Sequence, residues 1–157
     1  MSFLVTSFKT PIGTLNLLAD DQVLIGANLS TISAFKVNQE IKTVRNITVI
    51  SDLISDYFDG DLSAINAIKV RQPGATFSQA AWKSMRKVIA GKVISYADLA
   101  EKAGSPAAVR AAGSACANNA IMLVVPCHRI VKTGGALGNY AYGVDKKEWL
   151  LGHEGFL

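Results

Sequence analysis

The feature that most constrains the fold is a change of hydrophobic period at residues 71–74, "RQPG". Before it, residues 3–8 (FLVTSF), 14–19 (TLNLLA) and 22–29 (QVLIGANL) are short β-prone runs parted by "KTPIG" and "DD", which read as turns. They predict an antiparallel meander. Residues 30–46 show weak periodicity and read as loop, whereas Ile50, Leu53, Ile54, Tyr57 and Phe58 follow helical spacing up to Gly60. A last β-prone piece, "AIKV", leads into the break. The expected class is therefore mixed α/β (α+β), with residues 1–73 an N-terminal antiparallel β-sheet with helix and residues 74–157 a mainly helical second domain.

Beyond the break, "TFSQAAWKSMRKVIAG" places Ala81, Trp82, Met85, Val88 and Ile89 at helical spacing and predicts a helix stopping at Gly91. "KVISY" reads as extended or looped, and Ser95 can cap a short helix, "YADLAEKA", ending at Gly104. Ser105 as cap and Pro106 as first residue then open a second helix through about Ala117. Two short helices across a Gly-Ser-Pro turn fit a helix-turn-helix, and they fit a packed pair of core helices as well. The second helix offers Arg110 amid Ala, Gly and Ser, few long polar side chains for reading a major groove. So slim a surface suits a minor groove about 6 Å wide, or close packing against another helix.

Charge sharpens the division. The chain carries +4 overall, but residues 1–70 hold five Lys/Arg against seven Asp/Glu and residues 71–157 eleven against five. The second half is thus the face for a polyanion, although a basic surface can also be merely solvated. No run approaches the roughly 18–20 apolar residues of a membrane span, and "MSFLVTSFKTPIG" lacks the layout of a signal peptide, so a cytoplasmic or other intracellular protein is expected. Cys116 and Cys127 are the only cysteines and His128 and His153 the only histidines. That leaves little from which to build a disulfide framework or a zinc site, and no metal or cofactor is expected.

The stretch "VVPCHRIV", residues 124–131, sets a thiol beside an imidazole inside an apolar run. Burying such a pair is costly unless it is used, though a buried cysteine can also be an inert small hydrophobe. Pro126 withholds a backbone donor and biases Val125 towards extended backbone, which fixes where Cys127 stands. His128 can take a proton directly or through a water, and Arg129 adds positive potential, both of which favour thiolate. Neighbouring side chains diverge, which makes a water-bridged relay the better geometry. Glu154 in "LLGHEG" is one candidate to orient His128.

Taken together, "SYADLA", "RAAGSACANN", "VVPCHRIV", "GNYAYG" and "KEWLLGHEG" resemble, in order and spacing, the successive signatures of the O6-alkylguanine-DNA alkyltransferases. The resemblance is close over residues 74–157 and weaker before them. It implies a C-terminal winged helix-turn-helix that binds the minor groove of double-stranded DNA, and a protein acting as a monomer. Cys127 would be the alkyl acceptor, His128 the water-mediated base, Glu154 its orienting carboxylate and Asn119 the hinge after the recognition helix. Tyr96 would protonate the departing guanine. Arg110 would fill the stack left by a flipped nucleotide, with Ala111, Ala112, Gly113 and Ser114 beside the DNA. Tyr140, Ala141, Tyr142, Val125 and Ile130 would line the base pocket.

The chemistry asks for such parts on its own account. An alkyl group on a guanine oxygen is a sluggish electrophile, so its displacement needs a thiolate and a proton donor for the leaving base. Some relatives carry serine at Ala141 and glycine at Tyr142, so bulky alkyl groups are expected to enter less readily; Ala120 and Met122 replace prolines often found there, so a less rigid, differently packed pocket is expected. Cys116, Trp82 and Trp149 read as packing, and His153 as structural or solvated. Three other classes stay open at this point: a lesion binder without transfer, a transcription regulator and a cysteine hydrolase. Cys127 argues against the first and the polar-poor helix against the second. Product retained on the thiol would exclude the third.

Overall fold

The structure is a computed structural model that describes residues 2–157. Its backbone forms two compact units, Met1–Gln72 with Ala120–Val124, and Pro73–Asn119 with Val125–Leu157. The division near residue 73 thus has a return: the chain comes back to the first unit for five residues. The reason is hydrogen bonding. Ala27 donates to the Ala120 carbonyl (2.9 Å) and its own carbonyl accepts from Met122 (3.3 Å), so Ile121 pairs with Ala27 as a parallel bridge.

In the first unit β1 (Phe3–Thr10), β2 (Gly13–Asp20) and β3 (Val23–Asn28) form the expected antiparallel meander. The sheet as a whole is mixed. Its order is β4-β1-β2-β3-β5, and both edge strands, β4 (Ile41–Thr43) and β5 (Lys69–Val70), pair in parallel. β4 corrects the reading of residues 30–46 as loop; a 3₁₀ turn at Ile32–Phe35 also lies there. A three-residue edge strand is too short to show a period of two, which is why its sequence is silent. Central β2 has neighbours on both sides and buries Leu15, Asn16, Leu17, Leu18 and Ala19 without alternation. Helix α1 (Ile50–Phe58) contributes Ile50, Ile54 and Tyr57 to the core.

The second unit holds α2 (Thr76–Met85), α3 (Tyr96–Lys102), α4 (Val109–Ala117) and α5 (Val144–His153), with a parallel pair of two-residue strands, β6 (Ile94–Ser95) and β7 (Ile130–Val131). Two helix ends differ from expectation. α2 stops at Met85 rather than running to Gly91, because the Val88 carbonyl accepts from Arg129 Nη1 (2.7 Å) and the chain closes i→i+3 turns from Ser84 and Met85. Ile89, expected inside, is 62% exposed. α4 begins at Val109, not Pro106, since Ala108 N–H bonds to the Ser105 carbonyl (2.9 Å) and Pro106 occupies the second position of that turn. Trp82 is a core aromatic as expected, and its indole N–H also ties α2 to the Ala115 carbonyl of α4 (2.9 Å).

The start of α3 sets the site. Ser95 Oγ accepts from Asp98 N–H (3.0 Å) while Asp98 Oδ2 accepts from Ser95 N–H (3.4 Å), a capping box that fixes Tyr96 as the first helical residue. Ser95→Ala is expected to lower stability by about 1 kcal/mol, a fall in thermal midpoint of about 2–4 °C. A midpoint equal to that of the parent, read by circular dichroism, would show that the cap contributes nothing.

Candidate active site

The pairing of β6 with β7 brings together parts far apart in sequence. Ser95 lies opposite Val131, so Tyr96 opens α3 close to the 3₁₀ turn of Cys127, His128 and Arg129. Both flanks of that turn are buried, and so are its three residues. Asn119 fixes the thiol from the end of α4: its Nδ2 donates to the Val125 carbonyl (2.8 Å) and to Cys127 Sγ (3.4 Å).

His128 and Glu154 are both fully buried, and His128 Nε2 is 2.8 Å from Glu154 Oε2. Burial works against ionising Glu154, yet hydrogen bonds and positive charge from His128 and Arg129 hold its carboxyl well below the usual range. Glu154 is therefore a carboxylate, which can only accept. The proton of that bond sits on His128 Nε2, leaving Nδ1, which has no protein hydrogen-bond partner among the described residues, as the free ring nitrogen. Burial pushes the imidazolium pKa down despite Glu154, so His128 rests neutral.

The Cys127 thiol is shifted the other way from the reading that its neighbours favour thiolate. Burial raises its pKa and outweighs the Asn119 hydrogen bond and the charge of Lys147. Arg129 does not serve the thiol at all. Its Nε and Nη2 donate to the two Glu154 oxygens, both at 2.9 Å, and its charge is spent there. The resting nucleophile is thus a thiol awaiting a base.

A cavity of about 550 Å³ opens over Cys127. It is walled by one face of α4 (Val109, Arg110, Gly113, Ser114, Cys116, Ala117), by Tyr96, and by Lys132, Asn139, Tyr140 and Ala141. Its size suits a small organic ligand. Tyr96 is pushed up to about 12, first by burial and then by Cys116 and Cys127, so its hydroxyl stays protonated and can donate. Gly138, at φ +79°, lies so close that a Cβ there would stand 3.2 Å from the Tyr96 hydroxyl oxygen. Only glycine combines that backbone with that contact.

Several expected site residues fall elsewhere. Ala112 is fully buried on the inner face of α4 with Ala115, since residues three apart share a helix face, and it has nothing to offer DNA. Ala111 is exposed but lies off the cavity wall, as does Tyr142, whose ring meets that of Tyr140 edge-on at 5.7 Å. Val125 and Ile130 are fully buried and do not line the cavity. Cys116, read as packing, does line it. His153 is structural, stacked on Trp149 with ring centroids 4.8 Å apart.

Sequence reasoning missed Lys147. It is fully buried on α5, and its ammonium donates to the carbonyls of Ile130 (2.7 Å) and Asn139 (3.3 Å), joining β7 to the loop before Tyr140. A lysine in a charged run reads as solvated; its place in "KEWLLGHEG" was the available signal.

Residues 76–156 match the family model described as 6-O-methylguanine DNA methyltransferase, DNA binding domain. The chain belongs to that family. The methylated-DNA–protein-cysteine methyltransferase of Shigella flexneri is 36% identical over all of this chain and 98% of its own length. Among solved structures, the Mycobacterium tuberculosis O6-methylguanine methyltransferase superposes with a TM-score of 0.82 at 28% identity, covering 98% of this chain and 93% of that one. The M. tuberculosis OGT solved in complex with DNA gives 0.84 at 27% identity, covering 97% and 92%. In this chain the Cys127 thiol lines a cavity whose wall also carries Arg110 and Lys132. No described helix is long and apolar enough to cross a membrane.

Proposed function

We propose that this chain repairs O6-alkylguanine in double-stranded DNA by irreversible, stoichiometric transfer of the alkyl group to Cys127. The observation that carries this reading is the Cys127 thiol at the base of a cavity that also holds the protonated Tyr96 hydroxyl, with a neutral His128 bound to a buried carboxylate. The names of its relatives point the same way.

The damaged nucleotide must leave the stack, because in-line attack on its alkyl carbon is impossible inside a duplex; unstacking costs a few kcal/mol. α3 and α4 act as a winged helix-turn-helix, with α4 in the minor groove. The outward face of α4, with Gly113 and Ser114 beside Arg110, is slim enough for a groove about 6 Å wide. Arg110 is exposed at the cavity rim and takes the vacated space. One molecule suffices, since every group named belongs to one chain.

In the cavity, the Cys127 proton passes through a water to His128 Nδ1. The thiolate attacks the alkyl carbon, the carbon–oxygen bond breaks, and guanine leaves as a neutral base by taking the Tyr96 proton at N3. The proton held by His128 then restores Tyr96 through solvent. Net, the alkyl group and one thiol proton have changed places. A thioether remains, and no group in the cavity can hydrolyse it, so each molecule acts once.

The test is a stoichiometry. Purified protein incubated with duplex DNA carrying one O6-methylguanine should gain one methyl per molecule, and peptide mass spectrometry should find it on Cys127. DNA bound tightly with Cys127 unmodified would make the chain a lesion binder, and repeated turnover would make it a hydrolase.

A further inference from the structure

We propose that Arg129 is a positioning residue for alkyl transfer, holding Glu154 as a carboxylate shared between two partners so that His128 remains a neutral base with its proton on Nε2. The proposal rests on the reading of Cys127 as acceptor and His128 as its base. It reverses the part that sequence suggests for Arg129, which does not act on the thiol.

The geometry is specific. Arg129 is 2% exposed and uses three donors: Nε to Glu154 Oε1 (2.9 Å), Nη2 to Glu154 Oε2 (2.9 Å) and Nη1 to the Val88 carbonyl (2.7 Å). The same Oε2 accepts from His128 Nε2 (2.8 Å). One carboxylate therefore serves a guanidinium and an imidazole at once, and a bidentate guanidinium is the stronger partner.

Charge counting gives the consequence. With His128 neutral, the buried set of Arg129, Glu154 and His128 sums to zero. Without the guanidinium, an ionised Glu154 is neutralised only by an imidazolium at His128, and a protonated His128 can accept nothing from Cys127. With it, protonating His128 leaves one surplus positive charge, which the new Cys127 thiolate balances. Within the set of Arg129, Glu154, His128 and Cys127 the resting and activated states are both neutral, the cheaper condition for buried groups. Besides Glu154 and Arg129, the charged group acting on His128 is Lys147 on α5, whose ammonium opposes imidazolium in the same sense as Arg129.

Two measurements decide it. The first is the single-turnover rate of methyl transfer to the parent protein and to Arg129→Met and Arg129→Lys, followed down into acid. In the parent the rate should fall only below the ordinary histidine value of 6.5. In Arg129→Met that fall should move up by about one pH unit, whereas Arg129→Lys, which keeps the charge, should restore the parent's profile at reduced rate. A purely structural arginine would weaken both variants without moving the fall, and an unmoved profile in folded Arg129→Met overturns the proposal. The second needs no variant: nitrogen-15 NMR of labelled histidine in the parent should show His128 neutral and protonated on Nε2 at neutral pH. An imidazolium or an Nδ1–H tautomer overturns the proposal even where neither variant folds. A parent that transfers no methyl at any pH defeats the reading of Cys127 instead, while the NMR still reports on Arg129.

Discussion

Cys127→Ala is expected to abolish methyl transfer completely while leaving the affinity for lesion-containing duplex close to that of the parent. The two halves of this result come from different parts of the site. Transfer needs a sulfur that can carry a carbon, and alanine has none. In the proposed reading binding draws on the outward face of α4 and on Arg110, which line the cavity wall and which the substitution does not touch. The fold should also survive. Asn119 Nδ2 loses its long bond to sulfur (3.4 Å) but keeps the shorter one to the Val125 carbonyl (2.8 Å), so no buried donor is orphaned. What remains is a small cavity beneath an already open one, at a cost of about 1 kcal/mol. Gel shift and single-turnover transfer on the same duplex separate the effects. Transfer at the parent's rate would remove Cys127 as nucleophile, and a methyl found on Cys116 would show that the second thiol of the cavity can take its place.

The same residues show how much was legible beforehand. Cys127, His128, Asn119 and Tyr96 could be placed because each sits in a short motif whose chemistry is local: a thiol beside an imidazole, or a residue following a helix cap. Glu154 was one candidate to orient His128, and His128 does turn its Nε2 to it. The central meander and α1 were readable because their apolar positions repeat over several residues. Partners that approach from distant sequence left no such trace. Arg129 reads as a charge beside a thiol until the fold brings Glu154 and the Val88 carbonyl to it. That same capture of Val88 is why the sequence pattern overruns the end of α2. Lys147 and the edge strand β4 were hidden for related reasons: a buried cation is recognised by the carbonyls around it, and a three-residue strand by the neighbour it pairs with.

Glu154→Gln tests whether the carboxylate is structural, chemical or both, and both are expected. The amide keeps the shape of the side chain but not its charge, so Arg129 becomes a buried cation without a counter-ion. Breaking a buried ion pair from one side costs about 3–5 kcal/mol, a large part of the roughly 5–15 kcal/mol that holds a domain together. The loss must depend on pH in a definite direction. The folded state holds the Glu154 carboxyl below its ordinary value of 4.5, so its contribution is fully present above that value and disappears as pH falls through the folded one. The gap in stability between parent and Glu154→Gln should therefore be widest at neutral pH and narrow in acid, as read from urea midpoints at several pH values. Transfer should also slow, because an amide stabilises an imidazolium on His128 far less than a carboxylate does, and Cys127 would give up its proton less readily. A variant as stable as the parent at neutral pH would mean that Arg129 has found another counter-charge. A gap that stayed constant into acid would mean that the interaction lost was not that of an ionised carboxylate.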